Sequence, residues 1–218
     1  MQVKIVAPAL ERNLPYFEDF LHNLSFFAIL VLVRTNFLGA SGMQRYSGLS
    51  IFLHWLVAIL IIAAFALGTY MTDMRISPAK LQYYAWHKWL GVTVLGLVAI
   101  RLLVRLWKGA PAYQASLKPW EKNIATTTHL FLYFLMFAVP ISGYLYSYAA
   151  GFPVVYLGLV QLPALIPPLP ELKDTFKEVH EVLTTVMAIL VALHFAAALK
   201  HKIIDKDGTL ERMLPGKN

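Results

Sequence analysis

The sequence predicts an all-α membrane protein, a four-helix bundle with both ends of its core on the cytoplasmic side. Three observations lead there. Hydrophobic residues make up 58% of the 218 residues and charged residues only 14%, whereas a soluble domain carries about 25% charged residues. Mean hydropathy is +0.59. Four apolar runs reach the roughly 20 residues that cross hydrocarbon as a helix, and Lys and Arg gather on one side of them.

The first run covers about 49–71, LSIFLHWLVAILIIAAFALGTYM, and the second about 86–107, WHKWLGVTVLGLVAIRLLVRLW. The third covers about 128–149, THLFLYFLMFAVPISGYLYSYA, and the fourth about 179–200. Backbone polar groups cannot stay open in lipid, so each run should be helical. The runs are continuous rather than alternating, which argues against a β-barrel. Pro140 falls inside the third run, and membrane helices tolerate such a proline. Residues 151–170 are apolar but crowded with proline and glycine, so they read as a loop lying partly in the interface.

Charge sets the orientation. Arg101, Arg105, Lys108, Lys118 and Lys122 face only Glu121 around the second connection, and Lys200, Lys202, Lys206, Arg212 and Lys217 lie in the tail. The other two connections balance Arg75, Lys80, Lys88, Lys173 and Lys177 with five acids. The basic side is expected to be cytoplasmic. The net charge of +7 then follows from topology and anionic lipid, with no call for nucleic acid. With no cysteine in the chain, disulfides, thiolate-held metals and a thiol nucleophile are excluded.

Residues 1–42 stand apart, as an N-terminal extension to the domain at 43–218. Their apolar stretch, FFAILVLV at 26–33, is too short to span, and acids precede it, unlike a signal peptide. They read either as an interfacial segment or as sequence upstream of a start at Met43.

Histidine placement carries the chemistry. His180 and His194 lie fourteen residues apart on the fourth run. Fourteen helical residues rise about 21 Å and return to within roughly 40° of one face. Imidazole is costly in hydrocarbon unless it is paired or coordinated. His54 shares the inner depth with His194, and His87 shares the outer depth with His180. Two histidine pairs at two depths of a bundle are what two bis-histidine b-type haems require. Zinc held by histidine usually gathers three ligands at one depth. Gly91, Gly96, Gly143 and Ala196–Ala198 would let a flat macrocycle or a neighbouring helix approach. Arg101 is a candidate partner for a haem propionate; Arg105 reads as positive-inside flanking. His129, behind Thr126–Thr128, reads as a capping or interfacial residue. Glu181, beside His180, would serve a proton relay or sit as an interfacial charge. A small proton or metal transporter with a histidine-lined path is the alternative from another class.

These segments together resemble the bacterial cytochrome b561 family of four-helix di-haem proteins. The resemblance runs from about Tyr46 to Pro215. It rests on RYSGLSIFLHW at 45–55, WHKWLG at 86–91, THLFLYFLMFAVPISGY at 128–144, LGLVQLP at 157–163 and the segment 180–213. It implies the same ligand pairs, His54 with His194 and His87 with His180, and a place in the bacterial inner membrane. It further implies a quinone region at His201 and His129, and superoxide oxidation at the outer face coupled to ubiquinone reduction near the inner face. The other activity within this resemblance is a non-catalytic membrane anchor, exchanging electrons between the quinone pool and a periplasmic redox partner.

Overall fold

The computed structural model describes residues 45–216. Expectations for residues 1–42, including the start at Met43, fall outside the described residues. Among the described residues four long helices account for most of the structure: α1 Gly48–Asp73, α2 Pro78–Lys108, α3 Pro119–Ala149 and α4 Lys173–Lys200. All four are long and apolar enough to cross a membrane.

Three helices begin well before the apolar runs that predict them. α2 starts at Pro78, where Ser77 Oγ accepts from Lys80 N at 3.2 Å and proline occupies the first turn. α3 starts at Pro119, with Glu121 Oε2 accepting from Lys118 N at 3.0 Å. Proline with a capping oxygen is a strong start signal. Hydropathy finds only the lipid-facing part of a helix, so the polar first turns escape it. This corrects the reading of His129 as a cap: it lies well inside α3.

Successive helices pack antiparallel, α1 against α2 and α3 against α4, with α2 joining the two pairs. Val57, Val94, Val98, Leu102, Tyr133, Met136, Val139 and Met187 form the shared core. Val94, Val98 and Leu102 recur every four residues, one stripe of α2. The outside is equally apolar. Ile59, Ile62, Ile189 and Leu193 are exposed by 61, 60, 57 and 60%. In water such a surface would aggregate, but against acyl chains it is the expected exterior.

Two ends can be distinguished. At the hairpin end, a two-residue antiparallel ladder joins β1 Val155–Tyr156 to β2 Val160–Gln161. Trp89 Nε1 donates to Val155 O at 2.7 Å, and the Tyr144 and Tyr148 hydroxyls donate to the Pro163 and Leu162 carbonyls. The proline-rich loop is thereby folded down onto α2 and α3. At the termini end, α4 continues as one π-helical turn, His201–Asp205, and stops where Lys206 turns left-handed at φ 50°. The tail then crosses to the start of α1. Arg45 donates to Leu214 O at 2.6 Å and Glu211 O at 3.2 Å, and Trp55 Nε1 donates to Met213 O at 2.7 Å.

Candidate functional site: two imidazole pairs at two depths

At the hairpin end, His87 of α2 faces His180 of α4. Their ring centroids are 6.3 Å apart and their planes cross at 82°. His87 Nδ1 lies 3.1 Å from Ala64 O. His180 Nδ1 lies 3.0 Å from Val139 O and 3.1 Å from Ser142 Oγ, whose own hydroxyl donates to Val139 O at 2.8 Å. A carbonyl can only accept, so each ring carries its proton on Nδ1 and keeps Nε2 for a metal. This is how metal-binding histidines are normally oriented.

Glycine makes room for both rings. A Cβ on Gly68 of α1 would lie 3.1 Å from His87 Cε1, and one on Gly143 of α3 would lie 2.9 Å from His180 Cε1. The expectation for Gly143 therefore has a specific basis, a seat for His180. At Gly91 and Gly96 a Cβ meets no atom within 4 Å, so close helix packing does not explain those two glycines.

At the termini end, His54 of α1 faces His194 of α4, with centroids 6.4 Å apart and planes at 74°. The surroundings differ. His54 Nδ1 is buried without a hydrogen-bond partner. His129 of α3 packs on His194, centroids 5.4 Å apart. Arg101 lies within electrostatic reach of both His54 and His194. Arg101 and Arg105 lie 5.4 and 5.9 Å over the Tyr133 ring, a cation–π arrangement. Arg105 Nε is buried and unpartnered. Arg105 is thus more than a flanking charge: it shares the Tyr133 face with Arg101.

The ring separations test the haem reading. A metal–imidazole nitrogen bond is about 2 Å, and a ring centroid lies about 1.1 Å behind its nitrogen. Two imidazoles trans across one iron therefore have centroids about 6.2 Å apart. Both pairs meet that distance, and both place apolar core between the two levels. The donor set, neutral imidazole on two facing helices, fits b-type haem.

His201 caps the end of α4. Its Nδ1 lies 2.8 Å from Asp207 Oδ2 and 3.0 Å from Asp205 Oδ2. Glu181 pairs with Lys177 at 3.3 Å on the exposed surface, as an interfacial charge would. Sequence reasoning missed Gly68, Ser142 and Asp207. Gly68 had a signal: it lies fourteen residues after His54, the same spacing that joins His180 to His194. Ser142 and Asp207 had none, because only tertiary contact brings them to a histidine.

Fold and site together define a multi-pass four-helix protein with two stacked imidazole pairs, the class of membrane cytochromes b. Residues 45–216 match the family described as prokaryotic cytochrome b561. Cytochrome b561 homolog 2 of Escherichia coli is 36% identical over 78% of this chain and 92% of that protein. A probable superoxide oxidase, CybB, of Yersinia pestis is 32% identical over 80% of this chain and 98% of that protein. Cytochrome b561 homolog 1 of Escherichia coli is 29% identical over 79% and 98%. The chain belongs to the prokaryotic cytochrome b561 family. It is a multi-pass bacterial inner-membrane protein of transmembrane electron transfer, and its family implies b-type haem.

Proposed function

We propose that the chain moves electrons from superoxide at the hairpin end to ubiquinone near the termini end, through two b-type haems. The observation that carries this is the pair of ring separations, 6.3 and 6.4 Å, each the span of one bis-imidazole iron. His87 and His180 hold the outer haem, and His54 and His194 the inner one. Haem held by these pairs would supply one-electron carriage. The Lys and Arg excess supports a cytoplasmic position for the termini end.

The chain's own residues do the rest. The Ala64 and Val139 carbonyls fix the outer ring orientations. Arg101 would hold an inner propionate by charge-assisted contact. His129, packed on His194, and His201, two turns beyond it, mark the quinone region. Lys173 and Lys177 are paired with Asp174 and Glu181, and Lys80 donates to the Thr72 and Met74 carbonyls. Lys88, next to His87 and lying over Phe152, is the outer-side cation beside a ligand pair and draws the superoxide anion to the outer haem, with Arg75 as the other outer-side cation. The balanced reaction takes two superoxide, one quinone and two protons to two dioxygen and one quinol. The superoxide reading also draws support from the printed name of the Yersinia pestis relative.

Stopped-flow mixing of oxidised protein with superoxide, with and without decylubiquinone, tests the proposal. Fast haem reduction followed by quinone-dependent reoxidation is the expected result. Haems that ignore superoxide yet exchange electrons with quinol would instead make the chain a membrane anchor for a periplasmic redox partner. Protein without a Soret band after haem-replete expression would remove the haem assignment and leave a histidine-lined transport path.

A further inference from the structure

A half-buried acid–base pair, His201 with Asp207, lies at the termini end, outside the two ligand pairs. Quinone reduction there needs protons as well as electrons. The π-helical turn His201–Asp205 and the bend after it fold the chain back on His201: Asp207 N lies 3.4 Å from His201 O. Turns of this kind are frequent at functional sites. The bend brings Asp207 Oδ2 to 2.8 Å from His201 Nδ1, while Thr209 N donates to Asp207 Oδ1 at 2.9 Å. The Asp207 side chain is 6% exposed and that of His201 16%.

We infer that Asp207 is a positioning residue for quinone reduction: it fixes His201 with its proton on Nδ1, so that His201 Nε2 delivers protons to the reduced quinone. This rests on the quinone region proposed above.

Two carboxylates reach Nδ1, and geometry separates them. Asp205 Oδ2 is 3.0 Å from the ring but 2.6 Å from Lys200 Nζ, and its side chain is 27% exposed. Lys200 also contacts Glu121 at 3.3 Å, so Asp205 belongs mainly to a surface ion-pair chain. Asp207 is nearer and more buried, and a backbone amide holds its second oxygen. An acceptor-only carboxylate forces the tautomer of the imidazole and stabilises the imidazolium. Burial alone would raise the Asp207 carboxyl, but the hydrogen bond from Thr209 N and the nearby His201 outweigh it and hold it below its ordinary value. Asp207 therefore stays an anion throughout the neutral range.

The bookkeeping closes. The quinone accepts two electrons, one from each superoxide by way of the haems, and two protons. His201 gives each proton from Nε2 and is recharged from cytoplasmic water, while the Nδ1 proton stays on the ring, hydrogen-bonded to Asp207. His201, Asp205 and Asp207 also offer three atoms within 4.8 Å of one another, a spacing suited to a divalent cation. The Lys200 ammonium already occupies the Asp205 oxygen and opposes that use.

The test is anaerobic reoxidation of the reduced di-haem protein by decylubiquinone, followed in the haem α-band across the neutral pH range. Asp207→Asn should slow reoxidation by about 10²- to 10⁴-fold, the size of a general acid's contribution. It should leave both haem spectra and the quinone's half-saturating concentration unchanged, and the alkaline fall in rate should move to lower pH. Asp207→Glu should restore much of the rate, and Asp205→Asn should keep the wild-type profile. Wild-type speed and profile in Asp207→Asn would overturn the inference while leaving the quinone reading intact. Reoxidation abolished by a chelator and restored by a divalent cation would overturn it in favour of a metal. A wild-type protein that decylubiquinone cannot reoxidise would overturn the quinone reading, and this inference with it.

Discussion

Gly143→Ala should cost the protein one haem and spare the other. The added Cβ would lie 2.9 Å from His180 Cε1, 3.1 Å from Nδ1 and 3.4 Å from Nε2. Carbon contacts settle at about 3.5–4.0 Å, so the ring must retreat by roughly 0.5 Å or more. It has little freedom to do so, because Val139 O and Ser142 Oγ hold Nδ1 at 3.0 and 3.1 Å. Metal–ligand distances normally hold to within about 0.2 Å. Overpacking costs about 1–3 kcal/mol, and a lost hydrogen bond adds about 1 kcal/mol. A total of about 2–4 kcal/mol corresponds to a roughly 30- to 700-fold weaker outer site. At Gly68→Ala only one His87 atom comes closer than 3.4 Å, Cε1 at 3.1 Å, so its effect should be smaller. The assay is haem per chain by pyridine haemochrome, with a redox titration to show which site remains. Two haems per chain with unchanged midpoints in Gly143→Ala would refute the seat, and with it the placement of the outer iron on His180.

Three further outcomes follow from other contacts. Imidazole planes crossing at 82° and 74° leave two iron d-orbitals nearly degenerate, so both ferric haems should give strongly anisotropic low-spin EPR signals; the moderate anisotropy of parallel planes would contradict the ring geometry. Arg45→Ala removes the contacts to Leu214 O and Glu211 O; a charged hydrogen bond contributes about 1.5–3 kcal/mol, so Tm should fall by about 3–10 °C in a melt followed at the Soret band, and an unchanged Tm would show that Arg45 does not hold the tail. The depressed Asp207 carboxyl contributes stability that is fully present above the unfolded value of about 3.9 and is lost as pH falls through the lower folded value; acid titration of Asp207→Asn should lack that increment, and identical acid profiles would contradict it.

Much of the architecture was legible because two signals dominate this chain, a length and a spacing. Apolar length gave the four spans, and the fourteen-residue step gave the ligand face. The helix starts were less legible, since Ser77–Pro78 and Lys118–Pro119 lie in polar sequence that lipid never selects. The ladder at Val155–Gln161 stayed hidden because Gly158 and the surrounding prolines read as a loop, and four paired residues leave no alternation to detect. His129 was misread for a related reason: threonines before an apolar run look like a cap, whereas the helix had begun at Pro119. The partners of the histidine nitrogens were out of reach. Ala64 and Val139 contribute backbone carbonyls, and any residue type would offer the same atom.

The same step of fourteen recurs on every helix: His54 with Gly68, His87 with Arg101, His129 with Gly143, and His180 with His194. Each helix thus presents one residue to each chamber, and the two chambers differ in kind. The hairpin-end chamber has two glycine seats and two carbonyl-anchored rings. The termini-end chamber has a third imidazole, an arginine and a His54 Nδ1 with no partner. A carbonyl on Nδ1–H makes imidazole a stronger donor and favours ferric iron. A nearby guanidinium favours the less positive ferrous state. On the proposed di-haem reading both effects would lower the outer potential relative to the inner one, so an electron entering beside Lys88 would run downhill toward the His54–His194 site. Arg101→Gln should therefore lower the higher of the two midpoints and leave the lower one nearly unmoved. If the lower midpoint shifted instead, the inner haem would be the weaker oxidant, and the chain would be built to send electrons outward.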